Sequence, residues 1–171
     1  EPLYDIPTAI RAFAKLRGAY PAARLTVAGS GPEREALLAL SRELGVADAV
    51  VFAGRIANAD IASLYASADL MLNPSTVDNM PISILEALAC GVPVVSTDAG
   101  GIPDMVSHDV SALLVPIGDA DAMAAAAMHI LAHPEKAATL RAAGLDEVGR
   151  YAWPRVKSMW RDAYWRAIET R

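Results

Sequence analysis

Two carboxylates, Asp78 and Glu86, stand out as candidates for chemistry because of what surrounds them. Asp78 falls in a polar loop, and Pro81 then supplies the fixed φ and missing N–H that suit the first turn of a helix. Ile82, Ile84, Leu85, Ala87, Leu88, Ala89 and Cys90 predict an apolar helix that ends at Gly91 and Pro93. Such a helix is expected to be buried, Cys90 with it. Glu86 is the acidic exception within it, on one face with Ser83 and with Asn79 of the loop, since residues three and four apart stack along a helix. A buried carboxylate needs a partner, whether protein group, metal or ligand hydroxyl.

Alternating strands and helices must position this pair. Residues 5–19 read as an amphipathic helix, 24–28 as a strand, and 29–32 (Gly-Ser-Gly-Pro) as a strand-to-helix turn, with a helix starting at Pro32 and stopping at Gly45. Residues 50–54 read as a buried strand. A short helix carries Ile61, Leu64 and Tyr65, and strands follow at 69–72, 92–96 and 112–115. Helices then run from an Asp119 cap to about 132, from Pro134 to about 150, and over 154–169. Nearly apolar strands separated by helices predict a doubly wound, Rossmann-like parallel sheet with helices on both faces.

A chain of 171 residues with 54% hydrophobic content can bury the core of one domain, 1–171. Net charge is -5 without a basic run, which excludes a nucleic-acid footprint. One cysteine allows no disulfide framework and fits a reducing, cytoplasmic compartment. No apolar run approaches the roughly 20 residues of a membrane span. His129 and His133 are spaced like metal ligands but lack a third partner, so no metal is expected.

In a parallel sheet of this kind, ligands bind at the carboxyl ends of the strands. Four loops fall there: 29–32, 54–57, 74–81 and 97–101. Gly29, Gly31, Gly100 and Gly101 allow close backbone approach, and the loop before the 82–90 helix offers N–H groups at Asn79, Met80 and Ile82 that suit a phosphate. Gly-Ser-Gly-Pro-Glu-Arg does not complete the dinucleotide fingerprint, which discounts a dehydrogenase.

The ordered pattern of Pro74-Ser75, Asp78, Glu86-Ala87-Leu88-Ala89, Gly91-Val92-Pro93-Val94-Val95 and Gly100-Gly101 resembles the donor-binding, C-terminal half of family 4 glycosyltransferases. Val27-Ala28-Gly29-x-Gly31-Pro32, Val51-Phe52-x-Gly54 and Trp153 extend the resemblance over most of the chain. It implies a GT-B enzyme, with two Rossmann-like domains, that transfers a hexose from a UDP-, GDP- or ADP-sugar with retention and without a metal. By that resemblance Glu86 holds the ribose hydroxyls, and Asp78 is the catalytic-site residue beside the donor sugar. Asn79, Met80 and Ile82 face the diphosphate, Arg55 and Ile56 meet the base, and Gly29, Gly31, Gly100 and Gly101 line the donor site.

It also implies an N-terminal acceptor domain, against which helix 154–169 packs, and a parent protein that associates peripherally with membrane. Three departures matter. Asp78 stands where the family has Glu, Asn79-Met80-Pro81 replaces Gly-Phe-Gly, and Tyr4 occupies the position of a diphosphate-binding Lys, the matching Arg falling before residue 1. The family's first, central strand is also missing, so a gap is expected between strands 24–28 and 69–72: left open, filled by residues 1–4 and a partner chain, or closed by pairing its flanks. An alternative reading is a nucleotide-binding or assembly module without turnover of its own.

Overall fold

The computed structural model describes residues 2–169. A single 3-10 turn, Pro2–Tyr4, leads into α1 (Ile6–Ala19), β1 (Leu25–Ala28), α2 (Arg34–Glu43), β2 (Val50–Gly54), α3 (Asn58–Ala66) and β3 (Met71–Asn73). The chain continues through α4 (Ile82–Ala89), β4 (Val94–Thr97), α5 (Ile102–Met105), β5 (Leu113–Val115), α6 (Ala120–Ala132), α7 (Pro134–Gly149) and α8 (Trp153–Glu169). The alternation read from the sequence is present. Boundaries move by one to three residues where strands give up their ends to turns.

All pairings are parallel, but the strands form two blocks. β1 pairs with β2, and β3, β4 and β5 pair in that order. Among the described residues no strand joins β1 to β3 and the two do not pair with each other, so the gap is not closed by pairing of its flanks. The blocks are held in one body by a common core. Ile10, Phe13 and Leu16 of α1 and Met123, Ala127 and Ile130 of α6 pack with Val50, Val95, Leu113 and Val115 from both blocks. A second cluster, built on Ile84, Leu88, Val94, Ile102 and Met105, fills the opposite side of the three-stranded block. α7 seals α4 there: a Cβ on Gly144 would lie 2.6 Å from Leu88 Cδ2, so the small residue permits the close approach.

Three expectations about burial need correction. β2 is not buried throughout, because Val51 is 46% exposed and its neighbours alternate along the strand. One face of the two-stranded block lacks a tight cover, since α3 has no buried residue. α4 is buried on one stripe only, Ile84, Ala87 and Leu88. Ile82 is exposed and Glu86 only half-buried. Cys90, at the surface end of this short helix, is exposed as well. In α8 most of the apolar stripe faces outward: Trp153, Met159, Trp160 and Ile168 are exposed and Val156 is half-buried.

Candidate functional site

Because every strand runs the same way, the four loops singled out above lie at the same end of their blocks. They come together as two pairs. In the smaller block Gly29 N–H donates to Gly54 O at 2.7 Å, which sets Gly29 and Gly31 beside Arg55 and Ile56. Arg55 and the two glycines are exposed, Ile56 half-buried.

In the larger block a buried polar chain ties the strand ends to the loop that follows β3. Asn73 Nδ2 donates to Ser96 Oγ at 3.0 Å, Ser75 Oγ donates to Asn73 Oδ1 at 3.0 Å, and Thr97 Oγ1 donates to Ser75 O at 2.5 Å. All four residues are buried, so each bond is shielded from competing water. The sequence reading names Ser75 only as part of a motif and gives none of these four side chains a role. Their signal was available: polar residues closing two strands that are otherwise apolar.

Beyond that network the loops touch backbone to backbone. Gly101 N–H donates to Asp78 O at 2.9 Å. A Cβ on Gly100 would fall 2.2 Å from Asp78 O, and one on Gly101 2.3 Å from Asn79 O. The Gly100-Gly101 pair therefore serves to seat the Asp78 loop. Asp78, half-buried, turns its carboxylate back on the loop, where Oδ1 accepts from Met80 N–H at 3.2 Å. That bond occupies one of the three N–H groups expected to face a phosphate. Asn79, Met80 and Ile82 are otherwise exposed, and no side chain caps α4. The dipole and leading N–H groups of that helix are thus open to an anion.

Glu86 sits one turn into α4, four residues after Ile82, and half-buried rather than enclosed. Tyr65 of α3 lies against the same helix, its hydroxyl donating to Ser83 O at 3.0 Å. Burial, reinforced by the charge of the neighbouring Glu86, pushes the Tyr65 phenol up to about 12. Tyr65 is thus a protonated, uncharged neighbour of the carboxylate. Tyr4, at the position where the resemblance expects a lysine, is half-exposed, and the preceding Leu3 is fixed by Thr76, whose N–H donates to Leu3 O at 2.8 Å. The histidines stay apart from this site. His129 and His133 stack with centroids 4.4 Å apart, and among the described residues no group of three or more His, Cys, Asp or Glu could hold a metal ion.

Parallel strands, loops gathered at their carboxyl ends and an uncapped helix beyond them define a Rossmann-like α/β domain. The chain belongs to the group 1 glycosyl transferases, whose family model matches residues 1–146. It is 34% identical over 157 residues to the D-inositol 3-phosphate glycosyltransferase of Segniliparus rotundus, covering 90% of this chain and 35% of that protein. Against the GDP-mannose-dependent alpha-(1-6)-phosphatidylinositol monomannoside mannosyltransferase of Mycolicibacterium smegmatis the identity is 37%, over 79% of this chain and 37% of the relative.

Among solved structures, sucrose-phosphate synthase from Thermosynechococcus elongatus superposes with a TM-score of 0.89 and 30% identity, covering 100% of this chain and 44% of that one. Anabaena HepE in complex with UDP-glucose superposes at 0.81 with 27% identity, over 88% and 42% respectively. The fold is the Rossmann-like half of a GT-B architecture, and the chain spans well under half the length of the curated relatives it matches. No described helix is long and apolar enough to cross a membrane.

Proposed function

We propose that this chain is the donor-binding, C-terminal half of a retaining family 4 glycosyltransferase that moves a hexose from a nucleoside diphosphate sugar to an acceptor bound by a second domain. One observation carries the reading. The loop holding Asp78 is stapled by Gly101 and by the Asn73–Ser96–Ser75–Thr97 network directly in front of an uncapped helix, and Glu86 rises half-exposed from that helix one turn later.

A carboxylate is an acceptor-only group, able to take two O–H bonds from a vicinal diol, which suits Glu86 to the ribose. The leading N–H groups of α4, at Ile82 above all, then face the diphosphate. Met80 N–H joins them only on release from Asp78, a switch that would free the Asp78 carboxylate for the donor sugar in the same movement. Gly29, Gly31, Arg55 and Ile56 supply the wall for the base. No resident metal or cofactor has a role in this proposal.

A UDP-sugar complex among the structural neighbours and a GDP-mannose-dependent relative support a nucleoside diphosphate sugar as the donor class. The proposal includes a cytoplasmic parent enzyme with at most peripheral membrane contact. Tyr4 favours a second reading, donor binding without turnover by this segment alone, because it brings no cation to a leaving diphosphate.

Calorimetric titration with UDP, GDP and ADP tests the site. One of the three binds, and Glu86→Gln weakens that binding roughly tenfold to a hundredfold, the scale of lost charge-assisted hydrogen bonds. Absence of heat for all three at millimolar nucleotide, or equal affinity in the variant, overturns the ribose assignment.

A further inference from the structure

Glu86 is a long, flexible side chain on a half-exposed face of α4. To accept two O–H bonds from a vicinal diol its carboxylate must be held in one orientation, and a side chain free in water loses rotamer entropy when it is fixed. Orienting it beforehand removes that loss from the binding step. Among the described residues no Lys, Arg or His forms a salt bridge with Glu86, so a cation does not supply the orientation.

Tyr65 is placed to supply it. Its ring packs against the second core cluster while α3 as a whole buries no residue, which makes the ring a fixed point on a loosely covered helix. From there the hydroxyl reaches α4 and donates to Ser83 O at 3.0 Å. A helix carbonyl points toward the residue four further on, so Ser83 O is directed at the turn that carries Glu86. Ser83 and Glu86 share one face of α4, and the Glu86 carboxylate is a second acceptor within reach of the same hydroxyl. The phenol, its ionisation pushed up to about 12, stays a donor throughout the neutral range. Being uncharged, it takes one of the roughly four lone-pair positions of the carboxylate and leaves the charge and the positions for two ligand hydroxyls in place.

We propose that Tyr65 is a positioning residue, whose hydroxyl holds the Glu86 carboxylate in the orientation that receives a ribose diol. The proposal rests on the reading of Glu86 as the ribose ligand. It also gives α3 a part in the site. That helix begins directly after the loop containing Arg55 and Ile56, so the Tyr65 side chain ties the element that follows the base wall to the helix that carries the ribose ligand.

Calorimetric titration of the full chain with UDP, GDP and ADP, in a double-mutant cycle of Tyr65→Phe and Glu86→Ala, tests it. Tyr65→Phe keeps the ring against the core and removes only the hydroxyl. For the nucleotide that binds, Tyr65→Phe is expected to weaken affinity about threefold to tenfold, the scale of one hydrogen bond, and to change it by less than about twofold once Glu86→Ala is present. The 2′-deoxy form of that nucleotide is expected to feel Tyr65→Phe less than the ribonucleotide does, because fewer hydroxyls then depend on the carboxylate. Should Glu86→Ala leave binding too weak to measure, this second comparison decides. An equal loss in both Glu86 backgrounds, or for both forms of the nucleotide, means that Tyr65 serves the fold alone and overturns the proposal. Unchanged affinity in Tyr65→Phe where Glu86→Ala weakens binding also overturns it, and leaves the ribose reading standing. Absence of binding by all three nucleotides, or unchanged affinity in Glu86→Ala, removes the ribose reading and the positioning role with it.

Discussion

Tyr65 shows how a residue outside any motif can matter to the candidate site. Its phenol bonds Ser83 O, and burial with the nearby Glu86 charge raises it from 10.0 to about 12. The folded state therefore holds this proton more tightly than the unfolded chain does. The resulting stability is present in full below the ordinary tyrosine range and is lost as pH rises from there through about 12. In an alkaline absorbance titration, a last tyrosine step is expected at about 12, and Tyr65→Phe removes that step. An unchanged last step in the variant would reject the assignment. Glu86 itself was legible in the sequence as an isolated carboxylate among apolar residues. Its half-exposure was not, because helical periodicity assigns residues to a face without saying how far the neighbouring element covers it.

At the scale of elements, the loops after β3 and β4 behave as one piece. Gly101 has an ordinary φ, so the cost of a side chain there comes from contact alone: a Cβ 2.3 Å from Asn79 O must push the Asp78 loop away. Gly101→Ala is expected to lower stability by about 1–3 kcal/mol, the usual cost of forcing extra atoms into packed structure, and to weaken nucleotide binding with it. Denaturant melts paired with calorimetry check both, and a variant as stable and as tight-binding as the parent would deny the staple. Far from the site, Asp119 caps the alanine-rich α6, its Oδ1 accepting from Ala122 N–H at 2.8 Å. Asp119→Ala is expected to cost about 1 kcal/mol, read as a lower denaturation midpoint at unchanged slope. The cap was readable from residue order. The glycine staple was readable only as flexibility, since nothing along the chain says that residues 78–79 and 100–101 meet.

For the whole molecule the informative part is α8. All three tryptophans lie on it, Trp153, Trp160 and Trp165, each more than half exposed. Tryptophan emission of the isolated chain is accordingly expected to be that of water-exposed indole and to shift little when the core is unfolded, while circular dichroism reports the transition. Under the proposed two-domain enzyme, packing of this stripe on the acceptor domain is expected to move the same emission to shorter wavelength. A large red shift on unfolding the isolated chain would show that α8 is already covered, contrary to the structure. An apolar stripe this continuous is uncommon on a free surface and marks an interaction face.

The alternation of elements, the parallel sheet, the helix starts at Pro134 and near Pro154, the Asp119 cap and the membership of Asp78 and Glu86 in one loop-helix unit all followed from residue order. Each depends on local periodicity, proline and glycine chemistry or capping, which act over a few residues. Tertiary structure decided what depends on residues distant in the chain. It paired Gly100 and Gly101 with the Asp78 backbone, locked Asn73, Ser75, Ser96 and Thr97 into one buried network, set Tyr65 beside Glu86, and divided the sheet into two blocks. Burial was misjudged for Val51, Glu86 and Cys90 for the same reason: the apolar character of a residue states what it would gain from a neighbour, and only the fold determines whether a neighbour is there.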